Sequence, residues 1–192
     1  MYKIFYTGQF KKDLKLVLEQ EFRWANNASE FYYQHYDAGL AYALNKTWAL
    51  GGGYRQIYAR TASGPWLSES SPYAFVTYSG EFAGFKFDDR NRLEYQYFSF
   101  QSDTARYRNK FTVKAPWKFT KLEIQPFVAD EIFMMIGNGQ GFNQNRLCGG
   151  FSFSLMKNLK AEIYYMLLSS KSVSTGTWKD YNVLGTKVKL SF

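Results

Sequence analysis

The sequence predicts an all-β fold: an antiparallel up-and-down transmembrane β-barrel of roughly ten to twelve strands, with short periplasmic turns and longer outer loops. Three observations predict it. Apolar and polar residues alternate along nearly the whole chain. The apolar face is aromatic. The charged side chains gather on the opposite face.

The alternation is read in order along the chain. "LKLVLEQEFRW" (14–24) puts Leu14, Leu16, Leu18, Phe22 and Trp24 on one face, with Lys15, Glu19, Glu21 and Arg23 on the other. Segments of this kind run roughly over 2–10, 14–24, 32–44, 48–58, 73–83, 90–100, 106–115, 120–130, 146–155, 159–168 and 181–192. Most have the ~9–11 residues that a tilted strand needs to cross a bilayer. The last, "YNVLGTKVKLSF", keeps its period to the terminal residue, with Leu184, Val188, Leu190 and Phe192 on one parity. Eleven segments sit awkwardly with the even count usual for single-chain bacterial barrels. Ten strands follow if residues 2–10 are not a full wall strand, and twelve if one segment hides another.

The aromatic face separates this pattern from a soluble sandwich, which also alternates. A sandwich core favours Val, Ile and Leu. Here Trp24, Tyr32, Trp48, Tyr54, Tyr58, Tyr95, Tyr97, Tyr107 and Tyr165 sit on the apolar parity, many near segment ends. Girdles at the two lipid–water boundaries have this composition. One residue in five is aromatic, and the 16 tyrosines and 15 glycines suit strands joined by tight turns. Gly39, Gly51, Gly53, Gly150 and Gly185 fall on the polar parity, as a crowded lumen requires.

The charges decide the orientation of the faces. Of 23 charged residues in the eleven segments, 22 share a parity with the small and polar residues; Asp130 is the exception. Fifteen of the 22 are basic, and the chain carries a net charge of +8. Mean hydropathy is −0.40, and no apolar run approaches the ~18 residues of a membrane helix. The 192 residues form one domain, 1–192. The single cysteine, Cys148, allows no internal disulfide. The start "MYKIFYTGQF" lacks a signal-peptide pattern, so the expectation is a mature chain of the bacterial outer membrane whose signal peptide is not present.

Connections alternate in length. "KKD" (11–13), "NKT" (45–47), the turn near Gly84, "APWK" (115–118) and "KN" (157–158) are short. The set containing 60–71, 134–145 and 169–180 is mostly longer, although 25–31 and 101–105 are modest. This places the C-terminus on the periplasmic side. Phe192 there resembles the assembly signal that barrel-insertion machinery reads on bacterial barrels. Pro126 falls inside a segment, where a bulge or break is expected.

"DRNRLEYQYF" (89–98), "ARYRNKFTV" (105–113), "IQPFVADEIF" (124–133) and "NQNRLCGGFSFSLMKNLKAEIYYML" (143–167) carry a family likeness. The chain resembles, from about residue 14 onward, a domain-of-unknown-function family of small bacterial outer-membrane barrels. Those proteins carry an Arg-x-Arg-x-Glu strand, a strand of repeated Arg, a Pro-aromatic…Glu-x-Phe strand, an Asn-Arg…Gly strand and a Leu/Tyr-rich hairpin. Cys148 replaces a more usual small or aromatic residue, and Gln96 stands where another Arg is common. The resemblance implies fold and location and supplies no catalytic residue. More distantly, the arginine tracks are similar to those of narrow oligogalacturonate and sialic-acid porins.

The candidate site is the luminal charge network: Arg23, Arg55, Arg90, Arg92, Glu94, Arg106, Arg108, Lys110, Glu123, Glu131, Arg146, Lys160 and Glu162. Arg90, Arg92 and Glu94 should neighbour Arg106, Arg108 and Lys110. Arginine pairs carboxylates in a fork and stays charged when buried. Two readings stay open: a structural plug that seals the lumen, and a passive small-anion pore, which the basic excess favours. The alternative class is an outer-membrane lipid- or peptide-modifying enzyme using His35, the only histidine, which shares its face with Asp37. No nucleophile spacing accompanies it, so a hydrogen-bonded histidine near the outer rim is expected. Catalytic, cofactor and metal sites are therefore expected to be absent, and Cys148 inert. "GNGQGF" (137–142) lacks the following Lys-Ser/Thr of a phosphate loop. Expected partners are the lipid bilayer, lipopolysaccharide, the insertion machinery and small anionic solutes. Nucleic acid is excluded, because aromatics and arginines lie on opposite faces, whereas a nucleic-acid platform presents them together.

Overall fold

The computed structural model describes residues 1–60, 64–137, 141–172 and 175–192. All eleven segments form strands: β1 (Tyr2–Lys11), β2 (Leu14–Ala25), β3 (Glu30–Ala43), β4 (Trp48–Ala59), β5 (Leu67–Phe82), β6 (Phe85–Phe98), β7 (Thr104–Lys114), β8 (Gln125–Ile136), β9 (Gly141–Met156), β10 (Leu159–Lys171) and β11 (Trp178–Ser191). Each pairs with its chain neighbours, and the sheet closes on itself between β1 and β11. Residues 2–10 are a full wall strand after all, paired antiparallel with β2 from Tyr2↔Phe22 to Lys11↔Leu14.

The odd count has a consequence at the seam. In an up-and-down order the eleventh strand runs the same way as the first, so the closing pair is parallel. Tyr2 lies opposite Thr186 and Thr7 opposite Ser191. The seam therefore spans only the second half of β11, whereas β10 pairs with β11 from Leu159↔Leu190 to Lys171↔Trp178. The chain holds its order to the last residue: the Phe192 N–H donates to the Thr7 carbonyl at 2.9 Å, and the Phe192 carbonyl accepts from Gln9 N–H at 3.1 Å.

Several boundaries differ from the sequence reading. β5, β6, β9 and β11 start at Leu67, Phe85, Gly141 and Trp178, earlier than 73, 90, 146 and 181. β8 occupies Gln125–Ile136 in place of 120–130. The shift of β8 has a local cause. Thr120 (φ 64) and Glu123 (φ 47) take left-handed backbone, and Phe119 bridges Ile124, so 115–124 turns back on itself outside the wall. Pro126 then sits at the start of β8, where its carbonyl accepts from Ala115 N–H at 3.0 Å, just past the end of β7. The Gln125 side chain donates to the Ala115 carbonyl at 2.7 Å, where proline has no N–H to offer, and the register with β9 runs through Pro126 without a break. The irregularity between β8 and β9 lies at Phe133/Met134 instead.

The end that holds Phe192 also carries the connections 12–13, 44–47, 83–84, 157–158 and the longer 115–124. The opposite end carries 26–29, 60–66, 99–103, 137–140 and 172–177. Strands reach further into that second set than the composition suggests, so the contrast in length is smaller than expected.

Polarity is inverted relative to a soluble core. Glu21, His35, Gln96 and Glu94 are at most 1 % exposed, while Leu184, Phe151, Tyr97 and Leu93 are at least half exposed. On the outer face, rings meet near both ends of the wall. Trp48 with Tyr78 (4.9 Å) and Phe85 with Trp117 (5.7 Å) lie toward the Phe192 end. Trp24 with Phe31 (5.2 Å) and Phe142 with Trp178 (5.2 Å) lie toward the other. The outer face is not wholly apolar: Asp89, Asn91 and Asn109 bond one another, and Asn145 donates to Asp130 at 2.7 Å.

The inward glycines make room for inward rings. A Cβ at Gly39 or Gly53 would come within 2.7 or 2.5 Å of the Tyr73 hydroxyl, and one at Gly150 or Gly185 within 2.6 or 2.3 Å of Tyr164. The lumen thus holds aromatic rings as well as charges. Phe127, Tyr164 and Met166 form its small apolar core, and Cys148 packs against it.

Candidate functional site

Register brings the charges together. β6 and β7 place Arg90 opposite Lys110, Arg92 opposite Arg108 and Glu94 opposite Arg106. Carboxylates between these cations reduce the repulsion. Glu94 accepts from Arg108 at 2.6 Å and from Arg106 Nε at 2.7 Å, with Arg92 at 3.3 Å. Glu131, next on β8, accepts from Arg108 at 2.7 Å and lies 3.8 Å from Arg90 and from Arg146. The layer also crosses the lumen. Arg92 Nη1 comes within 3.8 Å of Asp37 on β3, and its guanidinium lies 3.8 Å over the Tyr73 ring. Asp37 takes Arg55 at 2.8 Å and the Tyr73 hydroxyl at 2.5 Å. Phe133 is stacked by Arg108 (4.7 Å) and Arg146 (4.5 Å). Arginine suits this work, because its flat fork can bond a carboxylate and stack on a ring at once.

A second cluster surrounds the only histidine. His35 Nε2 lies 3.1 Å from Glu19 Oε1, and Nδ1 lies 3.0 Å from the Tyr33 hydroxyl. The carboxylate beside His35 is therefore Glu19, on the neighbouring strand, and not Asp37, whose own partners are Arg55 and Tyr73. His35 is hydrogen-bonded, as expected, but buried at 1 % exposure and not at the rim. Glu19, Glu21 and His35 hold possible ligand atoms within 4.8 Å of one another. Lys3 and Arg23 both bond Glu21, and Lys3 (3.5 Å) and Arg55 (3.9 Å) flank Glu19. Carboxylates already covered by ammonium and guanidinium groups do not fit a metal ion.

The network and the His35 cluster share one cavity of about 430 Å³. It continues toward the Phe192 end, where Lys187 reaches Glu162 at 2.7 Å and Lys189 bonds the same carboxylate. Arg23, Arg55, Arg90, Arg106, Arg108, Lys110, Glu131, Arg146 and Glu162 of the expected network line this space. Arg92 and Glu94 are buried in its wall.

The chain matches the family described as Protein of unknown function (DUF2490) over residues 2–179. It belongs to this family. No curated protein and no solved structure shows significant similarity to it.

Within this family member, two expected network residues lie apart. Glu123 leaves the lumen because β8 starts two residues later. It accepts from Lys118 at 3.0 Å and from the Ser154 hydroxyl at 3.0 Å, and these bonds hold its carboxyl below the usual range. Lys160 is exposed at the Phe192 end. Cys148 is half-buried against apolar neighbours. Of "GNGQGF", residues 138–140 lie outside the described residues. Sequence reasoning passed over Glu19, Glu21 and Asp37 as network members, although their parity marked them as inward. It also passed over Tyr33, Tyr73, Phe133 and Tyr164, because inward aromatics look like the outward ones unless parity is followed residue by residue.

Proposed function

We propose that this protein is an integral outer-membrane barrel with a basic, narrow, largely side-chain-filled lumen. Its role is structural or a passive one toward small anions. The observation that carries this reading is the inversion of polarity: carboxylates and guanidiniums are buried in the bore while tryptophan, tyrosine and leucine cover the wall. In water such a surface would drive association; in a bilayer it is the stable arrangement, because a closed ladder leaves few backbone groups unpaired. The aromatic pairs toward each end suit the two lipid–water boundaries. The outward Asp89–Asn91–Asn109 and Asp130–Asn145 groups bond each other, which lowers the cost of placing them in lipid. In this orientation the Phe192 end is periplasmic, and the terminal strand is available to the insertion machinery.

The buried arginine–glutamate layer favours a sealed bore over an open one. Planar-bilayer recording tests this. A sealed lumen gives no steady current from folded protein, and a salt-dependent, anion-selective current would make it a pore. A second reading, an outer-membrane enzyme, draws support only from the Glu19–His35–Tyr33 chain of contacts. Loss of a lipase or protease activity in His35→Ala would establish it.

A further inference from the structure

Charge is paired differently in the two halves of the cavity. In the arginine–glutamate layer every carboxylate is shared by two or more cations, and the side chains of Arg55, Arg92, Glu94 and Arg108 are at most 7 % exposed. Toward the Phe192 end the balance fails. Arg90, Lys110, Lys114, Lys187 and Lys189 line that half from β6, β7 and β11, and the carboxylates among them are Asp88, Glu162 and Glu131, the last already shared with Arg108 and Arg146. Glu162 is taken by both Lys187 and Lys189. Asp88 accepts from the Ser79 hydroxyl at 2.7 Å.

The remaining cations face one another. Lys110 stands opposite Arg90 on β6 and Glu131 on β8; Glu131 attracts it while Lys187, Arg90 and Lys3 repel it, and Lys189 is repelled by Lys187 and Lys114 and attracted by Glu162. Among the described residues, neither Lys110 nor Lys114 has a carboxylate within ion-pair distance. Arg90 reaches Glu131 only at 3.8 Å, and its Nε is buried with no hydrogen-bond partner. Partly buried like charges in excess of their counter-ions are costly. Among the described residues, Asp88, Glu131 and Glu162 are too few to neutralise these five cations, and Glu131 and Glu162 are each shared between cations.

We infer that this half of the cavity binds a small multivalent oxyanion of the phosphate class and that the arginine–glutamate layer closes it behind the ligand. Three features select the ligand. The excess of positive charge exceeds what a monovalent ion neutralises. The free donors are mostly ammonium groups, compact point charges that suit a tetrahedral anion from several sides. The guanidinium forks that match a flat carboxylate are already engaged by Glu94, Glu131 and Asp37. The cavity's 430 Å³ falls in the range of small-ligand sites, ~300–1,000 Å³. This inference deepens the small-anion half of the proposed function, but it rests on interior charges and holds whatever surrounds the wall.

The test uses the full chain folded in a non-ionic detergent and titrated with pyrophosphate by calorimetry. Saturable binding of one pyrophosphate per barrel is expected, with chloride a poor competitor. Lys110→Gln and Lys114→Gln should each weaken it about tenfold, the loss of one charge-assisted contact. Neither change strands a carboxylate, so both variants should fold, as heat-modifiable gel mobility will check. Lys46→Gln, in the 44–47 connection, should bind as the parent does. Stronger competition by lysophosphatidate than by inorganic phosphate would assign the site to a lipid headgroup, and the reverse to a free solute. No saturable binding by folded barrel, equal displacement by chloride, or unchanged affinity in both lysine variants would overturn the inference. Insertion of the same protein into neutral vesicles reads the membrane assignment separately.

Discussion

Glu94 shows what a single residue does in this interior. It is 1 % exposed and holds Arg92, Arg106 and Arg108 around one carboxylate. Glu94→Ala removes the carboxylate that these three guanidiniums share. Breaking a buried ion network from one side costs about 3–5 kcal/mol, and a lower urea midpoint of the folded barrel will show it. Lys110→Gln should move that midpoint little or upward, since it relieves repulsion. Gly185 makes a packing point. A Cβ there meets Tyr164 ring carbons at 2.3 and 2.6 Å. Gly185→Ala should destabilise by about 1–3 kcal/mol, and pairing it with Tyr164→Leu should recover part of the loss.

At the scale of elements the seam is the weak place. β1 meets β11 only from Tyr2 to Thr7, whereas the other ladders run nearly the full length of their strands. Hydrogen exchange should therefore be fastest in β1 and in the first half of β11, and slowest in β6 and β7, which the arginine–glutamate layer ties together. Uniform protection around the ring would contradict this. Phe192, bonded through both its N–H and its carbonyl to β1, should matter for assembly more than for final stability. Phe192→Ala is expected to slow machinery-assisted folding while leaving the urea midpoint nearly unchanged.

Much of this scale was legible in the sequence, for a physical reason: period two directly encodes which way a side chain points. All eleven strands were visible, and so was the neighbourhood of Arg90, Arg92 and Glu94 with Arg106, Arg108 and Lys110, because consecutive antiparallel strands adjoin. Contacts that cross the bore were not legible. Arg92 on β6 meets Asp37 on β3 because of the stagger of the closed sheet, and alternation says nothing about stagger. His35 shares its parity with Asp37, but its hydrogen bond goes diagonally across the ladder to Glu19, which stands opposite Asp37, and parity alone does not say which inward neighbour a side chain turns toward. β8 was placed five residues early because 120–130 alternates as well as a strand does, and only the left-handed turn at Thr120 and Glu123 removes it from the wall.

For the whole molecule the claim is that the outside is apolar and meets lipid while the inside is ionic. The five tryptophans (Trp24, Trp48, Trp66, Trp117 and Trp178) report on it directly. Trp48, Trp66, Trp117 and Trp178 are 39–56 % exposed on the outer surface. The most direct measurement is tryptophan fluorescence of the protein folded into vesicles whose acyl chains carry bromine. Strong quenching by brominated lipid, with folding that requires detergent or bilayer, is the expected result. Protein that is monodisperse in detergent-free buffer, with tryptophans that brominated lipid leaves unquenched, would contradict the account.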